Sequence, residues 1–432
     1  MKRLFLPVFL SLTMSAVMGQ SLKKATKYFE GKDYDKAKTE VDALLEKNPT
    51  DGEAIYLKSK IYGKIADSAA LKSLVQGDAR AEAFEAFKKA FADSANMKVR
   101  LAMMKDNFQG VFDMYGGYYQ DAVDYFNKGA QSQNPTDFAA AMTEFMKAEK
   151  VGQYIRSIDL APIGVVDTTL VLNIGKAALN AKKDDITMEY FKKIADNKIK
   201  GPHNSDDDGF KLPYQWLEYH YKEAGDEANM LKYGNLGKEL FPDEDYYSFV
   251  MIDYYREKKQ LPKMLAIYGD LVKAHPDSMK YRFSYANEIF GYIYNSDEGE
   301  VIENRDEWMK TMKSELDKSM ELDPNDVNNN WLSSQYYFNQ GVETHDKAVK
   351  TKDAAEKASL NAAATNFFKE SIPYADKALK TLEASGTKED RSRYKSIVNL
   401  MQNIYQSLGD KENLKKYQDM YDAADALFKN KS

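Results

Sequence analysis

The chain has no cysteine, which excludes disulfides, thiol nucleophiles, cysteine-ligated zinc and lipid attachment through a cysteine thiol. Histidine is scarce as well: His203, His220, His275 and His345 are the four, and no two stand at a spacing that puts metal ligands on one helical face. HExxH, GxSxG and GxxxxGK are all missing, so the commonest zinc-protease, hydrolase and nucleotide signatures are absent. No cofactor and no catalytic residue is therefore expected. Positive charge is in deficit, with 61 Lys and Arg against 67 Asp and Glu and a net charge of -6, the wrong balance for a nucleic-acid partner. Beyond residue 20 no apolar run approaches the ~20 residues that span a bilayer, so no stable membrane insertion of the mature chain is expected. Proline, at 11 of 432 residues, is sparse and sits mostly between periodic segments, as in helices joined by short turns.

What is present begins with an export signal. Lys2 and Arg3 give a positive start, Leu4 to Met18 a mostly apolar run, and Val17 and Gly19 the small-residue spacing of a signal-peptidase site. Residues 1–20 are read as a signal peptide, cleaved after Gly19 or Gln20, and the mature chain as exported, periplasmic or associated with the outer membrane. Losing Lys2 and Arg3 leaves 59 basic against 67 acidic residues, which takes the net charge from -6 to -8. Tyr, at 30, and Phe, at 21, are abundant.

Those aromatics recur with a period. Tyr221 and Tyr255, Met230 and Met264, and Pro242 and Pro276 are each 34 residues apart. In the copy at 211–244 a helix carrying Trp216, Leu217 and Tyr221 is followed by the turn Ala224-Gly225-Asp226 and a second helix carrying Met230, Gly234 and Gly237. Apolar groups three and four apart give each helix one stripe that only a neighbouring helix can cover. This pattern resembles the tetratricopeptide repeat (TPR) family: a first helix with a small residue and an aromatic, a Gly-containing turn, a second helix, and a closing Pro. The stretch with Ala25, Tyr28, Tyr34, Ala37, Leu44, Leu45 and Pro49 is the best single match to it. The resemblance implies an all-α, right-handed superhelical solenoid of about eight antiparallel helix pairs, from an exported bacterial protein.

Further copies are read at Ile55 to Phe91, Ala122 to Ala148, Gly175 to Ile194, Tyr285 to Pro324, Trp331 to Leu379 and Tyr405 to Tyr417. The organisation expected is N-terminal repeats over 21–150, an irregular repeat with connecting loops over 151–210, central repeats over 211–340 (most regular over 211–278) and long-helix repeats over 341–432. Val342 to Leu379 contains one Pro and no Gly and is read as long helices, not a linker.

Two features carry chemistry. Asn204-Ser205-Asp206-Asp207-Asp208-Gly209 has the oxygen density of a calcium loop, but Gln215 stands where a bidentate Glu belongs and Pro213 interrupts the following helix start, so a solvated connection with a helix-capping Asp is favoured and no metal is expected. The other is an aromatic stripe. On the family's geometry the inner faces of the first helices line a concave groove, and the slots there are Phe29, Tyr56, Tyr219, Tyr246, Phe249, Phe283, Phe290, Trp331 and Phe338. Lys222, Glu223, Arg256, Glu257, Asn287, Gln335 and Asn339 interleave with them, whereas Tyr28, Tyr62, Tyr221, Tyr255 and Tyr337 fall in packing slots. Aromatics with mixed charge and amides suit a peptide strand or helix more than a small molecule. The expected function is a non-enzymatic interaction scaffold holding a peptide segment or protein partner. Against it stand a structural component of an envelope assembly, and a ligand-binding protein or enzyme using the irregular segments 62–82, 151–170 and 341–370.

Overall fold

The structure, a computed structural model, describes residues 21–93, 96–160, 167–202, 207–296 and 301–429. The expected signal segment and residues 204–206 of the Asn204 loop lie outside these residues. Two compact units divide the chain, residues 1–243 and 244–432, so the boundary falls between the two most regular copies.

The described residues are helical, without strands, and the helices pair antiparallel through short turns. In unit 1 the helix over 21–30 (α1) precedes α2 (Tyr34–Lys47), α3 (Gly52–Ala66), α4 (Ala79–Ala92), a short α5 (Met97–Lys105), α6 (Gln109–Ser132), α7 (Pro135–Ser157), α8 (Thr168–Asn180), α9 (Asp184–Ala195), α10 (Lys211–Ala224) and α11 (Glu227–Leu240). Unit 2 holds α12 (Tyr246–Glu257), α13 (Leu261–Ala274), α14 (Met279–Tyr294), α15 (Arg305–Leu322), α16 (Val327–Lys350), α17 (Ala354–Ser385), α18 (Arg391–Leu408) and α19 (Lys411–Phe428). With α5 set aside these are nine pairs, in keeping with the eight or so expected. The stretch read as long helices is α16 and α17, of 24 and 32 residues, broken only around Thr351 to Asp353.

One turn closes five of the pairs, and its backbone repeats more faithfully than its sequence. Within one or two residues of the first helix's end the chain adopts a left-handed conformation, at Lys32, Lys182, Gly225, Lys259 and Gly409, with φ between 55° and 72°. The next N–H then reaches back to a carbonyl five residues earlier: Asp33 to Tyr28, Lys183 to Ala178, Asp226 to Tyr221, Gln260 to Tyr255 and Asp410 to Tyr405, all at 2.8–3.0 Å. That bond satisfies one of the carbonyls a helix end leaves open. Gly takes the left-handed angle freely and Lys pays a steric cost, and in three of the five turns the left-handed position itself carries Lys, so a search for Gly at that position misses them. Asp33, Asp226 and Asp410 then cap the second helix, each accepting from the backbone N–H three residues on.

The packing slots fill as the periodicity implies. Tyr255 is 5% exposed, and Tyr62, at 3%, donates to Asp42 at 2.7 Å. Tyr221 stacks on Tyr233 with ring centroids 5.6 Å apart, and Tyr337 stacks likewise on Tyr374 at 5.5 Å. Gly175 lets α8 approach α9, since a Cβ there would come within 2.5 Å of the Phe191 ring. Two buried cations cross-link helices. Arg80 on α4 pairs with Asp121 on α6 and with Asp67 at 3.2 Å, and Arg282 on α14 pairs with Glu315 on α15 while donating to the Pro276 carbonyl.

Candidate functional site

The structure gathers five of the nine stripe residues into two clefts, one in each unit. In unit 1, Phe29 on α1 and Tyr56 on α3 line a cleft of about 280 Å³ whose far wall is Met114 and Asp113 on α6. Charged side chains from distant elements enclose it in ion pairs: Lys60 reaches Asp106 at 2.8 Å, Lys64 reaches Asp113 at 3.5 Å, and Arg80 holds Asp67. The Tyr56 hydroxyl donates to Asp106 at 3.0 Å, and burial together with this bond pushes the phenol's pKa up. Burial is the largest single influence on Asp106 and would raise it, but the hydrogen bonds from Lys60 and Tyr56 prevail and hold its carboxyl below the usual range. The Ser59 hydroxyl and the Arg80 Nε are buried in this wall without a hydrogen-bond partner among the described residues, and a bound group could satisfy them.

In unit 2, Phe283 and Phe290 on α14 face Trp331 on α16 across a cleft of about 470 Å³. Amides supply four of the other lining side chains: Asn287, Asn295, Asn328 and Gln335. Asn287 lies one turn from each Phe, and Asn328 and Gln335 lie one turn to either side of Trp331, so aromatic and amide alternate along both helices. Among the described residues Glu288 is its only charged lining residue, and the Arg256 guanidinium reaches it at 2.7 Å. Trp331 also packs against the C-terminal core, so it serves wall and core together. Amides offer donors and acceptors without charge, which suits a peptide main chain, and the rings offer apolar faces to side chains.

The remaining stripe residues line neither cleft. Tyr219 is 48% exposed with Lys222 near its face. Tyr246 packs edge-on against Tyr247, Phe249 lies against Tyr281, and Phe338 packs on Phe368 in the C-terminal core. His275 ends α13 and lies 2.9 Å from Asp245, in a turn as expected, and His220 stacks on Trp216. Of the acidic loop, Asp207 accepts from the Gly209 N–H at 2.8 Å and Asp208 pairs with Lys211 at 3.0 Å. Among the described residues no cluster of His, Asp and Glu is arranged to hold a metal.

The stripe missed Ser59, Lys60 and Asn328. Each lies a single turn from a stripe residue, three or four positions from Tyr56 or Trp331, so widening the stripe by one turn would have found them. Arg80 and Asp106 come from elements remote in sequence and left no periodic signal.

No protein-family description matches the chain, and no curated protein does. Several solved structures superpose weakly. A thermophilic TPR protein of Thermus thermophilus, TTC0263, is 12% identical, with a TM-score of 0.24 over 50% of this chain and 98% of that one. The P58(IPK) TPR domain is 13% identical, with a TM-score of 0.25 over 82% and 99%. Yeast Tom70 is 10% identical, with a TM-score of 0.22 over 95% and 96%. At such scores the fold rests on the helix pairs and turns themselves.

Proposed function

We propose that the protein is an exported, non-enzymatic scaffold whose unit 2 cleft holds an extended segment of a protein partner. The observation that carries this is the alternation of Phe283, Asn287 and Phe290 on one helix against Asn328, Trp331 and Gln335 on the other. Residues 283 to 290 span ~10 Å along the helix, the reach of about three extended residues. Amide side chains would pair with the main chain at any sequence, and the rings would select apolar side chains at alternate positions. Because Glu288 is already engaged by Arg256, the described lining adds no free charge to the contact, and binding should resist salt.

Export is the part of the proposal that rests on Lys2, Arg3 and the run Leu4 to Met18. N-terminal sequencing of the secreted chain tests it, and a chain still starting at Met1 would overturn it. For the cleft, a displayed random-peptide library is panned on the full chain. The expected binders share apolar residues without a common charge, survive washing at about 1 M salt, and are lost on Phe283→Ala with Gln335→Ala. Binders retained equally by that double variant would place the contact elsewhere and overturn the assignment.

A further inference from the structure

Exposed large apolar side chains are mostly scattered singly over the molecule, as at Tyr125, Met146, Leu322 and Val349, and single ones need no explanation. On α5 they form a row. Met97 is 66% exposed and Leu101 and Met104 are 57% each, while Val99 and Met103, at 1%, hold the opposite face of the helix down. At ~100° per residue the three exposed side chains fall within an arc of roughly 60°. Lys98 and Lys105 border that arc on one side and Arg100 on the other, by the same geometry.

Charge separates this helix from the rest of the chain. Its nine residues carry three cations and no carboxylate, in a protein with a net charge of -6. Lys98 has a carboxylate neighbour, Glu53 at 3.5 Å, but its side chain remains 80% exposed. The helix is fixed at its start, where the Asn96 side chain accepts from the Val99 N–H. It stops sharply where Asn107 and Phe108 turn left-handed. The row is a ridge one helix wide, on the side of α5 away from the buried Val99 and Met103. A helical protein partner would have to bring its own groove, whereas a lipid surface admits a ridge anywhere. Long apolar side chains flanked on both sides by cations match an interface of acyl chains beneath anionic headgroups.

We propose that α5 is an in-plane membrane-docking element that seats Met97, Leu101 and Met104 in an anionic lipid surface, with Lys98, Arg100 and Lys105 against its phosphates. Among the described residues no helix is long and apolar enough to cross a membrane, so this contact lies on the bilayer and does not span it.

The test is flotation of the full chain with vesicles of phosphatidylethanolamine and phosphatidylglycerol, and with vesicles of phosphatidylcholine alone. Wild type is expected to float with the anionic vesicles only, and less as salt rises. The triple variant M97S/L101S/M104S is expected to lose about tenfold or more in partitioning, and K98Q/R100Q/K105Q to lose the preference for anionic lipid. A denaturant midpoint taken for each variant reports its folding, and Leu101→Asp provides a single-site version should the triple variant unfold. Residues 1–20 are common to every protein compared, so their own lipid affinity cancels. Three results would overturn the proposal: wild type that does not float, variants that float as wild type does, or a ridge-dependent dimer formed without lipid.

Discussion

The two clefts occupy the same place in their repeats and reach opposite chemistry. Both are walled by stripe aromatics of successive first helices, Phe29 and Tyr56 in unit 1 and Phe283, Phe290 and Trp331 in unit 2. In unit 1 the aromatics are enclosed by Lys60, Lys64 and Arg80, each held by a carboxylate. In unit 2 amides dominate the polar lining, and the one acid among the described lining residues is engaged. Position along the first helix decides which side chain reaches a cleft. The residues one turn away, and those brought in from other elements, decide what the cleft will accept.

Buried charge offers the largest way to sharpen the contrast. Among the described residues Arg282 has a single carboxylate partner, Glu315, whereas Arg80 has two, Asp121 and Asp67. Glu315→Ala should therefore leave an unpaired buried cation and lower stability by about 3–5 kcal/mol, while Asp121→Ala should cost less because Asp67 remains. Urea unfolding midpoints measure both, and equal losses would remove the distinction.

Glu218 comes next. It is fully buried on α10 with both carboxylate oxygens unpartnered among the described residues, and burial, only partly offset by Lys238, pushes its pKa from 4.5 up to about 9. Its folded pKa is the raised one, so the stability it contributes is present in full below pH 4.5 and is lost as pH rises toward 9. Glu218→Gln should flatten that decline and stabilise the protein by on the order of 2–3 kcal/mol at pH 8, with little change at pH 4. Urea titrations at both pH values decide it, and a variant with the wild-type slope would contradict the assignment.

The smallest effect concerns the repeated turn. Lys259 stands in the slot that Gly225 fills one repeat earlier, with φ of 55° against 71°. Lys259→Gly should relieve left-handed strain and, after the added freedom of the unfolded chain, raise stability by up to about 1 kcal/mol. Thermal unfolding would show the shift, and a loss of stability would mean that the Lys259 side chain makes contacts worth more than the strain.

These residues also show what the sequence could and could not reveal. The step of 34 placed Tyr221, Tyr255 and the Gly225 turn correctly, because helix packing imposes a period that survives in large side chains. It did not reveal that Lys32, Lys182 and Lys259 make the same turn, since their left-handed backbone belongs to the fold and not to the residue type. Helix α5 was not anticipated, because nine residues carry too few turns to establish a period. The stripe located Phe283, Phe290 and Trp331, but the exclusion of Phe338 and Tyr246 from either cleft depends on neighbours that only three-dimensional packing supplies. The ion pairs of Arg80 and Asp106 join elements dozens of residues apart, and no local pattern encodes them.

The central claim is that cleft aromatics and packing aromatics do separate work. Phe283→Ala and Tyr255→Ala, compared side by side for unfolding midpoint and for retention of a library-selected peptide, test it most directly. The expected result is that Phe283→Ala weakens retention by about 2 kcal/mol or more at a near-native midpoint, while Tyr255→Ala loses about 3–5 kcal/mol of stability yet still retains peptide below its midpoint. Equal destabilisation by the two substitutions, or retention indifferent to Phe283, would contradict it.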